Sequence, residues 1–156
     1  MVRVQPIGCG GTLISNRHVL TAAHCLLKTQ NSKLVPIYDS WTIDLGEHDY
    51  ANSIAKTVSV LDYVPHPDYI IDDKHVSHYD IAVMTLSSPV TFIREISPIC
   101  LPADTLETHV GQDAILTGWG TTELGRPSST LKEVNCTILS DKECEETFGS
   151  TNRFIR

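Results

Sequence analysis

The chain has 156 residues, of which 41% are hydrophobic and 20% are charged. This composition is typical of a folded globular protein and excludes a disordered one. The formal net charge is −7, and no block of like charges occurs. Since nucleic acids and anionic membrane surfaces are bound through clustered lysine and arginine, the charge pattern argues against both as partners.

Short alternating or β-branched runs separated by turn residues are typical of an all-β sandwich or barrel. The predicted strands, in chain order, are Gly11–Ser15, His18–Thr21, Trp41–Leu45, Thr57–Val64, Ile81–Leu86, Ala114–Thr117 and Lys132–Ile138. One helix is predicted near the end, because Ser140 and Glu143 have the spacing of a capping box. The stretch Ser97–Gln112 holds several turn formers and is the best candidate for a crossover between two halves.

The five cysteines form no C-x-x-C pair, so neither a zinc knuckle nor a thioredoxin-like motif is indicated. Two interpretations remain open: buried thiols in a cytosolic protein, or an extracellular disulfide framework with one cysteine left over. The segment Asn135-Cys136-Thr137 also matches an N-glycosylation acceptor. A disulfide at Cys136 would be expected to hinder that acceptor.

Neither end of the chain resembles a natural terminus. The first nine residues contain no apolar run long enough for the core of a signal peptide, and no transmembrane span follows. We therefore expect any export signal to lie upstream of Met1 and the natural protein to continue past Arg156.

The strongest local feature is Thr21–Cys25 (TAAHC). A histidine that acts as a general base needs a fixed ring and a defined tautomer. A position at a strand end, beside a cysteine that can be tied to an earlier strand, gives His24 that rigidity. A bridge from Cys25 to Cys9 would close a short loop and contribute roughly 3 kcal/mol. Taken alone, His24 would more ordinarily be a structural histidine.

A second feature is an acid, Asp80, that opens the apolar run Ile81–Leu86. A carboxylate at such an edge is costly without a partner, and an imidazole N–H is a suitable one. Asp80 alone would more simply be an exposed loop aspartate. The third feature, Gly118-Trp119-Gly120, predicts a tight turn with the indole packed into the core.

Together, these segments resemble the chymotrypsin/trypsin family of serine endopeptidases, especially its invertebrate extracellular members. The resemblance covers nearly the whole chain, and the motifs occur in the family's order. They are Cys9–Ile14 (CGGTLI), Thr21–Cys25 (TAAHC), Leu45–His48 (LGEH), Pro65–Tyr69 (PHPDY), Asp80–Val83 (DIAV), Pro98–Pro102 (PICLP) and Thr117–Gly120 (TGWG).

The resemblance implies an all-β, trypsin-like double antiparallel β-barrel with the active site between the barrels. Residues 1–156 would be a partial peptidase domain, with the first barrel nearly whole over about 1–100. The crossover and the beginning of the second barrel would occupy about 101–156. By the same resemblance, His24 is the general base, Asp80 is its orienting acid, and Cys9 pairs with Cys25. The protein would be a secreted zymogen that acts on a protein or peptide substrate.

The nucleophilic serine of the family, in the context Gly-Asp-Ser-Gly-Gly, does not occur in the chain, and neither does the amino-terminal Ile-Val-Gly-Gly. We therefore expect the full-length protein to be a serine-type endopeptidase with a His-Asp-Ser triad, and this segment alone to be inactive. The alternative is a non-catalytic homologue that acts as a binding or regulatory module.

The resemblance also assigns roles to two further cysteines. Cys100 matches the position that tethers the domain to an upstream pro-region or regulatory domain, and Cys144 would pair with a cysteine beyond Arg156. Cys136 departs from the family pattern and its partner is not assigned. The cysteine that usually precedes the Gly-Trp-Gly strand is replaced near Ala114.

No metal or cofactor is predicted. Glu47 fits the first ligand of the calcium loop found in some relatives, but Asp49–Lys56 is short and supplies no matching final acid. A zinc site is the competing possibility, since His75, His78 and Asp80 follow one another as H-x-x-H-x-D. The two histidines lie in a polar loop, where solvated side chains are the simpler interpretation.

Overall fold

The computed structural model describes residues 1–52, 55–73, 75–103 and 108–148. Within them, one α-helix, α1, spans Asp141–Phe148, and 3-10 turns lie at Ala23–Cys25 and Tyr50–Asn52. None of these helices is long and apolar enough to cross a membrane. The strands are β1 Val2–Gln5, β2 Cys9–Leu13, β3 His18–Thr21, β4 Leu27–Gln30, β5 Lys33–Pro36, β6 Thr42–Leu45, β7 Lys56–Pro65, β8 Ile70–Ile71, β9 Ser77–His78, β10 Ala82–Leu86, β11 Asp113–Gly118 and β12 Lys132–Thr137.

Six of the strands form a closed antiparallel barrel in the order β1-β2-β3-β10-β7-β6. The barrel closes because β1 pairs on one side with β2 and on the other with β6, so that Val4 lies opposite both Cys9 and Ile43. Each strand of a closed barrel has two neighbours, and closure thus removes the free edges that invite aggregation.

The barrel interior is filled by apolar side chains from alternating strand positions. In β10, Ala82, Met84 and Leu86 are buried, whereas Val83 and Thr85 between them are only partly covered. Successive side chains of a strand point to opposite faces, so a period of two places one set inside the barrel. The alternation of side chains along the strand therefore determines which residues form the core.

The hairpin β11–β12 lies outside the barrel and is attached to it through the segment after β6. Trp119 is buried, as predicted, and its indole Nε1 donates to the carbonyl oxygen of His48 at 3.2 Å. The backbone N–H of Leu131 donates to the same oxygen at 2.7 Å, and Asp49 forms a β-bridge with Thr130. These contacts join the two halves of the described chain.

Helix α1 begins at the predicted capping box. The backbone N–H of Ser140 donates to Glu143 Oε2 at 2.9 Å, and the N–H of Glu143 donates back to Ser140 Oγ at 3.3 Å. This exchange satisfies two donors that the first turn of a helix leaves without intrahelical partners. The hydrogen bonds from Ser140 also lower the pKa of the Glu143 carboxyl.

All seven predicted strands are present. Most of their ends differ from the predicted ends by one or two residues. The strand predicted over Gly11–Ser15 ends at Leu13, because Ser15 Oγ accepts the backbone N–H groups of Arg17 and His18 and forms a turn. Strands β1, β4, β5, β8 and β9 were missed. They have four residues or fewer and are defined by pairing with another strand, which a local pattern cannot supply.

Candidate active site

His24 lies on the 3-10 turn Ala23–Cys25 that follows β3. The residues on either side of it are buried: Ala23 is 0% exposed and Cys25 is 3% exposed. Since the flanking side chains are held in the core, the backbone is fixed while the imidazole side chain, 55% exposed, projects toward solvent. A fixed backbone with an accessible ring suits a group that exchanges protons with a bound molecule.

A disulfide between Cys9 and Cys25 ties this turn to the start of β2. The two Cα atoms are 6.2 Å apart, and the bridge spans 16 positions of sequence. A cross-link of this kind restrains the unfolded chain, and it also fixes the turn that carries His24 against the barrel wall.

Asp80 precedes β10 and reaches His24 across the pairing of neighbouring strands. Because β10 pairs with β3, Ala82 lies opposite Thr21, and the segments just outside these two positions meet at the same end of the barrel. The register therefore brings together two side chains that are 56 residues apart in sequence.

The carboxylate of Asp80 contacts His24 through both of its oxygens. Oδ2 lies 2.6 Å from the imidazole Nδ1, and Oδ1 accepts the backbone N–H of His24 at 2.8 Å. An ionised carboxylate only accepts hydrogen bonds, so this contact assigns the Nδ1 proton to the histidine. In the neutral ring, Nε2 is then the atom with the available lone pair, and it lies 3.7 Å from Cys25 Sγ, a disulfide sulfur that has no proton to donate.

The side chain of Tyr69 is packed close to this pair. It is 3% exposed. Burial raises the pKa of Tyr69, and the negative charge of Asp80 acts in the same direction. A hydrogen bond with the Ser77 side chain acts in the opposite direction. Tyr69 is therefore a buried, neutral side chain close enough to Asp80 to feel its charge. In the sequence, Tyr69 stands out only as the last residue of the Pro65–Tyr69 motif, and no local pattern there predicts that its side chain is buried.

A contact between two aromatic rings stabilises the segment that carries Asp80. The imidazole of His66 stacks on Tyr79, with ring centroids 5.0 Å apart and an angle of 12° between the planes. The backbone N–H of His66 also donates to the carbonyl oxygen of Ile81 at 2.9 Å. His66 thus holds the residues immediately before and after Asp80. Sequence reasoning missed this contact because it depends on a left-handed backbone at Tyr79, with φ of 53°.

The residues of the possible zinc motif are not gathered into one cluster. Asp80 is turned toward His24, and His78 Nε2 lies 3.0 Å from Asp72 Oδ2 instead. Over the described part of the chain, the only three potential ligand atoms lying within 4.8 Å of one another are those of Cys9, His24 and Cys25. Both cysteines are in the disulfide and present no thiolate to a metal.

The other cysteines are not bridged within the described residues. Cys100 and Cys136 are exposed, and Cys144 is partly covered. The predicted tether at Cys100 and the predicted outside partner of Cys144 both need accessible thiols, and both remain predictions.

Comparison with known proteins places this geometry in a family. Residues 1–155 match the family model described as Trypsin. The chain is 30% identical over 158 residues to phenoloxidase-activating factor 3 of Holotrichia diomphalia, covering 97% of this chain and 45% of that protein. It is 34% identical over 154 residues to the proclotting enzyme of Tachypleus tridentatus, covering 93% and 40%. The chain thus spans less than half the length of these two relatives.

The fold agrees with the same family. The solved structure of neuropsin, a serine protease of mouse brain, superposes with a TM-score of 0.76 at 27% identity, over 96% of this chain and 63% of that one. The predicted fold class, all-β and trypsin-like with a nearly whole first barrel, is therefore confirmed, and the structure shows that this barrel is closed. The division near residue 100 stays a prediction. The chain belongs to the trypsin family of serine proteases.

Proposed function

We propose that the full-length protein is a serine endopeptidase in which His24 is the general base and Asp80 is the acid that orients it. The observation that carries this proposal is the 2.6 Å contact between His24 Nδ1 and Asp80 Oδ2, supported by the backbone hydrogen bond to Oδ1. Together they fix the imidazole in the tautomer whose Nε2 accepts a proton.

In this mechanism, a serine hydroxyl attacks the scissile carbonyl of a protein substrate, and His24 Nε2 takes the hydroxyl proton. The imidazolium then donates that proton to the departing amine, leaving an acyl-enzyme that water hydrolyses by the same route in reverse. Asp80 remains ionised throughout and stabilises the imidazolium. We place the nucleophile in sequence that follows Arg156, as the order His, Asp, Ser requires.

The site is completed, in this proposal, by a second barrel of which about residues 101–156 form the crossover and the beginning. The contacts of His48 with Trp119 and Leu131 support a fixed attachment of the second half to the first. Residues 1–156 alone would lack the nucleophile and would be inactive.

We place the protein outside the cell, as a secreted zymogen. The disulfide of Cys9 and Cys25 supports an oxidising compartment. The names of two relatives, an activating factor and a proclotting enzyme, suggest a protein substrate processed in a cascade. Cys100, exposed and unbridged in the described residues, would tether an upstream pro-region or regulatory domain.

Sequencing the natural transcript past the codon for Arg156 comes first, followed by labelling of the activated full-length protein with an organophosphonate probe. A Gly-Asp-Ser-Gly-Gly segment and covalent labelling are the expected results. Asp80→Asn should lower kcat by about 10⁴-fold, since the histidine loses its tautomer. The matched control is Asp72→Asn, because Asp72 contacts His78 at 3.0 Å outside the site and its loss should leave kcat nearly unchanged.

Other outcomes would support the second candidate, a non-catalytic homologue with a binding or regulatory role. A transcript in which the serine is replaced, or a full-length protein that fails to label after activation, would overturn the enzyme proposal. Equal effects of Asp80→Asn and Asp72→Asn on kcat would overturn the role given to Asp80.

A further inference from the structure

The segment Asn135-Cys136-Thr137 is the only Asn-x-Ser/Thr sequence in the 156 residues. It lies on β12, the second strand of the hairpin outside the barrel, where every residue from Lys132 to Thr137 is exposed. The proposed protease mechanism makes no use of this segment. Whether it accepts a glycan depends on the surroundings of Asn135 and on the cysteine between the two key residues.

The strand register separates the acceptor asparagine from the cysteine. Asn135 pairs with Ile115, and Cys136 pairs with Ala114. Neighbouring residues of a strand point to opposite faces, and residues paired across strands share a face. Asn135 and Cys136 therefore lie on opposite faces of the hairpin.

The two faces have opposite character. The face of Asn135 is mostly polar and carries Asp113, Ile115, Thr117, Glu133, Asn135 and Thr137. The other face is mostly apolar and carries Ala114, Leu116, Lys132, Val134 and Cys136. Leu116 is 65% exposed and Val134 is 56% exposed, so it is the apolar face that needs a covering partner in the complete protein. The polar face is the one suited to water.

The contacts of the two flanking side chains agree with this separation. The Thr137 hydroxyl lies 3.4 Å from Asp113 Oδ1 on the polar face, and Cys136 Sγ lies 3.5 Å from the carbonyl oxygen of Ala114. A disulfide formed by Cys136 would extend from the apolar face. The expected hindrance between a bridged Cys136 and a glycan on Asn135 therefore does not follow from the folded geometry.

We infer that Asn135 carries an N-linked glycan in the secreted protein, an inference that rests on the secretion proposed above. The donor is a lipid-diphosphate-linked oligosaccharide. The side-chain amide nitrogen of Asn135 forms a bond to the anomeric carbon of the first sugar, and the carbon–oxygen bond to the lipid diphosphate breaks. One amide proton leaves, and the released lipid diphosphate accepts it.

The test is expression of the full-length protein, behind a cleavable secretion signal, in a eukaryotic cell line. Both medium and cell lysate are examined, so the result does not depend on efficient export. We expect a single mass increment that peptide N-glycosidase removes. Digestion in heavy-oxygen water should then place a labelled aspartate at position 135, in the tryptic peptide of residues 133–142.

Three variants test separately whether the glycan requires Asn135 and Thr137 and whether Cys136 affects its attachment. Asn135→Gln and Thr137→Ala should each abolish the increment, and Cys136→Ser should retain it. Absence of the increment from the wild-type protein in both fractions would overturn the inference. So would an increment that appears only in Cys136→Ser, because it would show that the cysteine blocks the acceptor.

These outcomes are independent of the proteolytic proposal. Asn135→Gln should leave organophosphonate labelling unchanged, because Asn135 is exposed on β12, outside the barrel whose ends carry His24 and Asp80. An unglycosylated protein that labels would overturn only the glycan, and a glycosylated protein that does not label would overturn only the enzyme.

Discussion

The closed barrel and the hairpin β11–β12 are built from strands of similar length but differ in how completely they bury apolar surface. In the barrel, Ile43, Met84 and Leu86 are 0% exposed. In the hairpin, Ile115, Leu116 and Val134 are between 56% and 66% exposed. The difference arises from closure, since within the described residues each barrel strand is paired on both sides and each hairpin strand on one. An apolar strand face is stabilising only when further strands or a helix cover it.

The largest expected effect of this difference concerns the 156-residue chain expressed alone. The uncovered apolar face and the free edges of the hairpin should make it aggregate or remain molten. Size-exclusion chromatography, dye binding and thermal melting measure this. A chain with Leu116→Lys and Val134→Lys should aggregate less, because both changes place charge on the apolar face. A sharp cooperative melt from a soluble wild-type monomer would contradict the prediction.

The next largest effect is expected from an isoleucine-to-alanine substitution, made once in the barrel and once in the hairpin. In the full-length protein, Ile43→Ala should lower the free energy of unfolding by about 2–5 kcal/mol, because it leaves a cavity in the barrel core. Ile115→Ala is the matched control and should change it by about 0.5 kcal/mol or less, since Ile115 is 66% exposed. Denaturant unfolding measures both. Equal losses would mean that the polar face of the hairpin is covered in the complete protein.

Removal of the disulfide should have a similar or smaller effect. Replacement of both Cys9 and Cys25 by serine should cost roughly 3 kcal/mol in the full-length protein, as expected for a bridge that spans 16 positions. The comparison is Cys136→Ser in the hairpin, which removes a thiol that is exposed and unbridged among the described residues and should change the unfolding free energy little. A large loss in the Cys136 variant would indicate that this cysteine is bridged in the full-length protein.

The smallest expected effect concerns pH and the start of α1. The hydrogen bonds from Ser140 lower the pKa of Glu143 below its ordinary value of 4.5. A carboxyl whose folded pKa is lowered stabilises the fold above that ordinary value, and the contribution is lost as pH falls through the lowered pKa. The amide of Cys144 donates to the Ser140 carbonyl, and its protection factor against hydrogen exchange should therefore fall in acid. Glu143→Ala should abolish this pH dependence, and Glu145→Ala should leave it in place.

Short-range patterns in the sequence determined much of this description. The alternation of apolar residues located β10 and most other barrel strands, since a period of two is a local property of a strand. The spacing of Ser140 and Glu143 located the start of α1, because a capping box closes within one turn. Motifs such as that at Thr21–Cys25 identified the family and named His24 and Asp80 as candidates.

The tertiary structure alone decided what depends on contacts distant in sequence. The pairing of β3 with β10 brings Asp80 within 2.6 Å of His24 and makes the ring tautomer definite. The same packing buries Tyr69 beside the pair and stacks His66 on Tyr79. Strand β1 has one partner nearby in sequence, β2, and receives its second set of hydrogen bonds from the distant strand β6. These features were absent from the sequence analysis because a local pattern carries no information about which distant segment will complete it.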